Sequence, residues 1–253
     1  MARRLRCSCS PDLPTRIEIV PETGSTSADI VARIGAGDPI PEGYWLIADR
    51  QSAGRGRQGR RWLDAPGNLM GSTVVAIGAG DPAPSTLSFV AALAVYEAVV
   101  LHLGNPRALQ LKWPNDLLLG REKLSGILLE RIGSAAVIGI GVNLAVAPNL
   151  ADREASHIGG VGPAPARDAF AGDLAASFDR ELVRWRQFGT ESLLERWLAV
   201  GHPLGSPLSV HGSDGARVSG SFDGLEPDGA LRLRLADGTC RVIHAGDVVL
   251  EGN

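Results

Sequence analysis

The 253-residue sequence is poor in cysteine, in aromatic residues and in long apolar runs. Its three cysteines, Cys7, Cys9 and Cys240, form no CxxC pair and have no histidine cluster nearby, so neither a zinc site nor a disulfide framework is predicted. We expect reduced thiols in a cytoplasmic protein. No stretch approaches the roughly 18–20 apolar residues that a membrane helix needs. Residues 1–15 carry three arginines but no apolar run, which excludes a secretory signal and a membrane anchor there.

The sequence also lacks an excess of positive charge and several familiar catalytic patterns. Its formal net charge is −3 and its pI is about 6.0, which argues against a general nucleic-acid binder. It has no GxxxxGK[ST] phosphate-binding loop, and no Ser/His/Asp order is evident. A GxGxxG match at residues 54–59 contains arginines and lacks a βαβ context. A dinucleotide-binding fold and histidine base catalysis are therefore not predicted.

What stands out against this background is the stretch at residues 51–62, QSAGRGRQGRRW, which we call the arginine loop. It contains four arginines and three glycines. Glycine permits close approach of the backbone to a ligand, and arginine matches phosphate and carboxylate oxygens with a planar fork. The loop therefore predicts a mobile segment that closes over a small anion. A solvated basic loop or a nucleic-acid patch is the alternative.

Hydrophobic periodicity predicts an α+β fold. Strands are predicted at 16–20, 44–48, 69–77, 109–113, 117–119, 123–132 and 135–144, and helices at 28–34, 85–103, 168–188 and 190–200. The four strand-like segments between residues 109 and 144 follow one another through turns, so a mixed or antiparallel sheet flanked by helices is predicted. Glycines at 139 and 141 are expected to leave room for a ligand against this sheet.

A change of composition near residue 202 predicts two folded parts. We expect a main domain at 16–202 and a small C-terminal β-barrel at 203–253, where short alternating segments are separated by Gly-containing turns. Residues 1–15 are predicted to be disordered or loosely attached.

Three further places set polar groups among apolar segments. Ser25, Thr26 and Ser27 precede a helix, where they can cap it or face a ligand. Asp116 follows one strand, and Lys123 begins the next, so a hairpin of this length can bring the two side chains together. A surface ion pair is the alternative interpretation of Asp116 and Lys123.

The sequence resembles the biotin protein ligases, in particular the biotin–[acetyl-CoA-carboxylase] ligases. The resemblance rests on four motifs in the same order and spacing: GRGRQGRRW at 54–62, KWPND at 112–116, KLSGILLE at 123–130 and GIGVN at 139–143. It spans about residue 16 to the C-terminus. Two positions depart from the family pattern, namely Ser27 in place of asparagine and Ser125 in place of glycine or alanine.

The resemblance implies a class II synthetase-like catalytic domain with a Src-homology-3-like C-terminal barrel. It implies an ATP-dependent ligase, using Mg²⁺ with ATP, that makes biotinyl-5′-AMP and transfers biotin to a lysine of a biotin carboxyl carrier domain. The implied catalytic residues are Lys123, Arg57 and Asp116. The implied binding residues are Ser25, Thr26, Ser27, Gln51, Arg55, Gly56, Arg57, Arg60, Trp62, Lys123, Gly126 and Asn143. We expect no resident metal site.

Some members of this family carry an N-terminal DNA-binding domain, which this sequence is not expected to contain. About fifteen residues precede the first predicted strand, too few for a helix-turn-helix, so we expect a monofunctional monomer or homodimer that binds no DNA and no membrane. A lipoate–protein ligase on the same scaffold is the nearest alternative. A nucleic-acid-binding module that uses the arginine loop is the alternative from a different class. The C-terminal barrel can also serve as a protein-interaction module.

Overall fold

Two β-sheets form the framework of the computed structural model, which describes residues 3–6, 16–149, 154–211 and 217–251. The strands of the larger sheet are β1 (Arg3–Arg6), β2 (Arg16–Thr23), β3 (Tyr44–Gln51), β4 (Leu69–Ala76), β5 (Leu109–Lys112), β6 (Asp116–Leu119), β7 (Glu122–Ile132) and β8 (Ala135–Val142). Their order is β1-β2-β3-β4-β8-β7-β6-β5. Strands β2 and β3 run parallel, and the other neighbouring pairs run antiparallel.

The connections explain this mixed sheet. A parallel pair needs a crossover, and helix α1 (Thr26–Gly35) supplies it between β2 and β3. The antiparallel strands β6, β7 and β8 need only turns. These turns contain Gly120 and Gly133, with φ values of 65° and 56° that glycine adopts without strain. The predicted mixed sheet with flanking helices is confirmed.

Helices cover both faces of the larger sheet. Helices α2 (Leu87–Val100) and α3 (Arg167–Val200) pack on one face, and α1 packs on the other. Strand β3 is covered on both faces: Trp45 packs in the cluster with α2 and α3, and Tyr44 and Leu46 pack with α1. A strand enclosed on both faces has consecutive buried residues, which accounts for its unbroken apolar run.

Helix α2 is shorter and more enclosed than its sequence predicts. A single 3₁₀ turn, Pro84–Thr86, precedes it, and Ser85 donates to the carbonyl of Asp228 at 3.4 Å instead of capping the helix. Ten of its residues are buried, on nearly every side, although the spacing of Phe89, Leu93, Tyr96, Val100 and Leu103 in the sequence predicts one inward stripe. The difference arises because α2 packs against α3 as well as against the sheet.

Helix α3 is interrupted at Gly189. The backbone there has φ 73° and ψ −168°, which is not helical. This interruption lies between the two predicted helices at 168–188 and 190–200. In the described part of the chain, no helix is both long enough and apolar enough to cross a membrane.

The N-terminal region contains one described strand. Residues 1–15 are predicted to be disordered or loosely attached, and within them Arg3–Arg6 forms β1, which pairs antiparallel with β2 opposite residues 16–19. The unpaired edge of β2 therefore gains a neighbouring strand through backbone hydrogen bonds. The rest of that segment, residues 1–2 and 7–15, lies outside the described residues.

The C-terminal strands form a second, five-stranded antiparallel sheet. They are β9 (Pro207–His211), β10 (Arg217–Leu225), β11 (Leu231–Arg234), β12 (Cys240–Ile243) and β13 (Asp247–Leu250), in the order β12-β11-β10-β9-β13. Within the described residues β12 and β13 do not pair, so this sheet is open where a closed barrel is predicted. Strand β13 instead meets the larger sheet, where Lys112 Nζ donates to the carbonyl of Val248 at 3.0 Å. The domain boundary near residue 202 stays a prediction.

His202 lies between the two sheets and is buried without a polar partner. Its ring is 1% exposed and packs edge-on against Trp197, 5.6 Å away, and Phe222, 4.1 Å away. Neither ring nitrogen has a hydrogen-bond partner among the described residues. Burial lowers the pKa of His202 to about 4, and the charge of Lys112 adds to the effect. The imidazole is therefore neutral at physiological pH.

We predict that His202 makes the stability of the protein depend on pH below neutrality. The unfolded chain takes up this proton near pH 6.5 and the folded chain only near pH 4, so stability is complete above about 6.5 and falls toward 4. The loss is on the order of 3 kcal/mol. Urea unfolding of the wild type and of His202→Phe across this window measures it. Equal declines in the two proteins would contradict the prediction.

Candidate active site

One cavity of about 910 Å³ lies between the larger sheet, the arginine loop and β13. It is lined by residues from stretches that are far apart in sequence, near positions 25, 55, 115 and 140. All of the residues predicted for the site line this one cavity: Ser25, Thr26, Ser27, Gln51, Arg55, Gly56, Arg57, Arg60, Trp62, Asp116, Lys123, Gly126 and Asn143. Their individual roles stay predictions.

Hydroxyl and amide groups form one end of the cavity. Ser25 accepts from the backbone N–H of Ala28 at 3.5 Å, so it caps α1 and also lines the cavity. Gln51 Oε1 accepts from Thr26 twice, from the backbone N–H at 2.7 Å and from the hydroxyl at 3.1 Å. These groups are buried, so they are held in place by one another and not by solvent.

Ser72 of β4 contacts two hydroxyls of this cluster, and it was not predicted from the sequence. Its hydroxyl lies 2.7 Å from that of Thr26 and 2.9 Å from that of Ser27. It is fully buried. In the sequence, Ser72 is only a serine within the apolar run of β4. Such a serine can be a site residue, or it can be a core residue whose hydroxyl is hydrogen-bonded, and the sequence does not distinguish the two.

The arginine loop is a tight hairpin. Arg55 and Arg61 form an antiparallel bridge, the N–H of Gly56 donates to the carbonyl of Arg60 at 2.7 Å, and residue 58 turns with φ 56°. Glycine is required at position 54, because a Cβ there would lie 2.5 Å from the carbonyl oxygen of Trp62. Close approach within the loop itself therefore explains this glycine.

Two of the arginines that line the cavity, Arg57 and Arg60, have partners on its wall. Arg57 Nη1 donates to Asn115 Oδ1 at 3.0 Å. Burial lowers the pKa of Arg57 from its usual value, and Asp247 and Asp116 act in the opposite direction, so the guanidinium remains charged at neutral pH. Arg60 pairs with Asp247 of β13 at 2.6 Å. An anionic ligand would compete with this carboxylate for Arg60.

Asp116 and Lys123 form a buried ion pair, and the surface alternative is wrong. Lys123 Nζ lies 2.5 Å from Asp116 Oδ1, and Lys112 Nζ lies 3.6 Å from Asp116 Oδ2. Asp116 is 7% exposed. Two ammonium groups and one carboxylate leave a local positive charge at the wall of the cavity, where burial limits its screening by salt.

A β-bulge places Lys123 on the same face as Asp116. In the β6–β7 pair, Asp116 is opposite Gly126, and Leu118 is opposite Lys123, which leaves Leu124 as an extra residue. A regular register would pair Leu118 with Leu124 and turn Lys123 to the other face. The bulge therefore buries Leu124 in the core and directs the ammonium group into the cavity.

The indole of Trp62 occupies space that the glycines of β7 and β8 provide. A Cβ at Gly141 would lie 2.2 Å from Trp62 Cε2, and one at Gly126 would lie 3.1 Å from Trp62 Cζ3. A Cβ at Gly139 would lie 2.4 Å from Ser27 Oγ. These glycines also line the cavity, so they leave room both for these side chains and for the open space beside the sheet; contact of a ligand with them stays a prediction.

Asn68, which the sequence reasoning also missed, organises the chain after β8. Its Oδ1 accepts from the consecutive N–H groups of Leu144, Ala145 and Val146 at 3.0, 3.0 and 3.1 Å. Its Nδ2 lies 3.4 Å from Asn143 Oδ1. Three converging N–H groups normally suit an anion, and here a side-chain oxygen takes that place.

Asn143 connects this segment to Lys123. Its Nδ2 donates to the carbonyl of Lys123 at 3.3 Å and to that of Ser156 at 3.0 Å. Asn143, one of the predicted binding residues, therefore also fixes the backbone of Lys123. In the described residues, no group of three or more His, Cys, Asp or Glu side chains is placed to hold a metal ion.

Comparison with known proteins agrees with this geometry. Residues 38–145 match the model of the biotin/lipoate A/B protein ligase family, and residues 205–251 match the biotin protein ligase C-terminal domain. The chain is 38% identical over 241 residues to the biotin–[acetyl-CoA-carboxylase] ligase of Paracoccus denitrificans, covering 91% of this chain and 98% of that protein. The chain belongs to the biotin protein ligase family. This confirms the resemblance drawn from its motifs, and with it the expectation of a ligase.

Other relatives place the whole chain in the same family. It is 35% identical to the biotin–[acetyl-CoA-carboxylase] ligase of Mycobacterium tuberculosis, covering 92% of this chain and 88% of that protein. The structure of the Leishmania major biotin protein ligase in complex with biotinyl-5-AMP matches with a TM-score of 0.62 and 28% identity, over 94% and 100% of the chains. The Aquifex aeolicus enzyme in complex with biotin and ATP matches with a TM-score of 0.80, 24% identity and coverage of 94% and 99%, which supports the fold.

We predict that Gly141→Ala expels the Trp62 indole from the sheet face, because the added methyl group would overlap the ring. Tryptophan emission should shift to the red and acrylamide quenching should increase. Gly172→Ala is the matched control, since a Cβ there meets nothing within 4 Å. If Gly141→Ala has the same emission change in a Trp62→Phe background, the shift does not come from Trp62 and the prediction fails.

Proposed function

We propose that this member of the biotin protein ligase family activates biotin with MgATP as biotinyl-5′-AMP and transfers it to a lysine of a biotin carboxyl carrier domain. The observation that carries the proposal is one cavity, in which three hydroxyl side chains, the four arginines of the arginine loop and a buried lysine–aspartate pair meet. Support also comes from near full-length similarity to proteins named biotin–[acetyl-CoA-carboxylase] ligases.

The first step joins two anions. A carboxylate oxygen of biotin attacks the α-phosphorus of ATP, the bond from that phosphorus to the bridging oxygen breaks, and pyrophosphate leaves. Arg55, Arg57, Arg60 and Lys123 line the cavity and offset the repulsion between carboxylate and triphosphate. A hydrogen bond to a charged group contributes about 1.5–3 kcal/mol, or roughly ten- to a hundredfold in rate if it acts in the transition state.

The second step moves the acyl group to the carrier. The lysine amine of the carrier attacks the carbonyl carbon of the mixed anhydride, AMP leaves, and the amine loses a proton. Asp116 is paired with two ammonium groups, at 2.5 and 3.6 Å, so it is better placed to orient Lys123 than to accept this proton. We therefore assign Asp116 to orientation.

Biotin binds at the end of the cavity that is lined by hydroxyl and amide side chains. A ureido ring presents both donors and acceptors, which Ser25, Thr26, Ser27 and Gln51 complement. In this arrangement Arg55, Gly56 and Arg57 would contact the carboxylate and phosphate, while Trp62 packs against Gly126 and Gly141 of the sheet. Mg²⁺ enters with ATP as part of the substrate, because such ions are commonly bound through phosphates.

The proposal makes the carrier domain and small molecules the partners of a cytoplasmic enzyme, which acts as a monomer or homodimer. The mildly acidic net charge of −3 argues against a role on DNA. The alternative activity is ligation of lipoate, since the matched family model covers lipoate ligases as well.

We predict that incubation with biotin, MgATP and a biotin carboxyl carrier domain adds one biotin-sized mass to one carrier lysine. Lys123→Ala should lose biotin-dependent pyrophosphate release while keeping the wild-type circular dichroism spectrum, because the cation beside the reacting anions is gone. Intact-mass spectrometry and a pyrophosphate assay measure both effects. Labelling with lipoate but not with biotin would overturn the proposed substrate, and normal pyrophosphate release by Lys123→Ala would remove that residue from the mechanism.

We predict that Arg57→Gly releases biotinyl-5′-AMP into solution. The variant loses both the guanidinium group and its hydrogen bond to Asn115, which holds the loop to the cavity wall. Free adenylate in the filtrate, and biotin on lysines of a bystander protein, measure the release. Arg107→Gly, an exposed position outside the cavity, is the matched control. Equal release by the two variants would contradict this role for Arg57.

A further inference from the structure

The chain contains two lysines in 253 residues, Lys112 and Lys123. Apart from histidines, every other basic side chain is an arginine. Both lysines line the same cavity. Among the side chains, apart from histidines, the positive charge on the rest of the surface is therefore carried by guanidinium groups, whereas the amines of lysine are confined to the place where the activated acid would form.

One carboxylate lies beside both amines. Lys123 Nζ is 2.5 Å from Asp116 Oδ1, Lys112 Nζ is 3.6 Å from Asp116 Oδ2, and Lys112 Nζ also donates to the carbonyl of Val248 at 3.0 Å. Asp116 is buried, and both lysine side chains are at most one fifth exposed. Each amine is thus directed toward oxygen acceptors of the protein itself.

This arrangement matters because an acyl adenylate, which is the intermediate of the proposed function, reacts with amines. A neutral amine attacks the carbonyl carbon, a C–N bond forms, the bond from the acyl carbon to the phosphate oxygen breaks, AMP leaves, and the amine proton passes to solvent. An ammonium ion has no lone pair for this attack. Guanidinium groups remain protonated in proteins, so arginine is not a target.

We propose that Asp116 shields the two lysines of the chain from acylation by the bound adenylate, and that the remaining surface needs no shield because it has no lysine. The carboxylate lies within ion-pair distance of both ammonium groups and fixes their direction. The enzyme can therefore hold a reactive anhydride next to its own amines and still pass the acyl group only to the incoming lysine of the carrier.

A general preference for arginine would explain the surface but not the site. Such a preference predicts arginine at positions 112 and 123 as well, yet lysine is kept at both. These are the positions where a compact ammonium group contacts Asp116 in a buried setting. The shield is what makes the retention of two reactive amines compatible with the intermediate.

In the test, synthetic biotinyl-5′-AMP is added to the purified wild type, to Asp116→Asn and to Asp116→Ala. Adding the adenylate directly bypasses its synthesis by the enzyme. Intact-mass spectrometry and peptide mapping measure biotin on Lys112 and Lys123, and circular dichroism checks the fold. We expect at least tenfold more label on these lysines in the Asp116 variants than in the wild type. Replacing both lysines by arginine in the Asp116→Asn background should abolish it.

A lysine-containing peptide in the same tube reports that the reagent is active. Wild-type lysines labelled as strongly as those of Asp116→Asn, or no label in a folded variant while the peptide is labelled, would overturn the shield. A second measurement needs no variant: an N-hydroxysuccinimide ester should acylate both lysines at least tenfold more slowly in the native wild type than in urea. Equal rates would also overturn it.

The role of the lysine-free surface is tested with a matched pair of variants that release adenylate. Arg57→Gly combined with Arg107→Lys should acquire label at the new lysine, and Arg57→Gly alone should have none at that position or on any other surface side chain. Label on other surface side chains of Arg57→Gly would overturn this part. Biotinylation of the carrier by the wild type is measured separately, so failure of the proposed function is distinguished from failure of the shield.

Discussion

Asp116, held between two lysines, is the interaction on which the site depends. The carboxylate lies 2.5 Å from Lys123 and 3.6 Å from Lys112, so it offsets the repulsion between two ammonium groups that share the wall of one cavity. That local excess of positive charge opposes the repulsion between a carboxylate and a triphosphate. Because the pair is buried, its field is weakened little by salt, and the chemistry proposed here needs such a field.

The C-terminal sheet takes part in the same arrangement through β13. Asp247 pairs with Arg60 of the arginine loop, and the carbonyl of Val248 accepts from Lys112. A further hydrogen bond, from Trp113 Nε1 to the carbonyl of Gly229 at 2.9 Å, joins the sheets next to the Asp116 motif. The smaller sheet thus contacts both the arginine loop and Lys112, which links its position to that of the charged groups of the cavity.

Local patterns predicted most of the elements, and they were weaker where packing decides. The strand of residues 44–48 and the mixed sheet followed from apolar runs and short turns. Helix α2 was predicted with one inward stripe, yet it is buried on nearly every side, because the sequence does not reveal that α3 covers it. Ser72 and Asn68 were missed, since a polar residue in a strand or a turn carries no sign of its distant partners.

The sequence by itself determined which chemistry was available: an arginine-rich loop, a hydroxyl group before a helix, and the motif residues Asp116 and Lys123. Tertiary structure decided how these groups meet. The bulge at Leu124 turns Lys123 to the face of Asp116, and the pairing of β7 with β8 aligns the glycines under Trp62. Strand register alternates with a period of two, so a shift of one residue reverses every side chain. That register is set by contacts between distant strands, which no local pattern specifies.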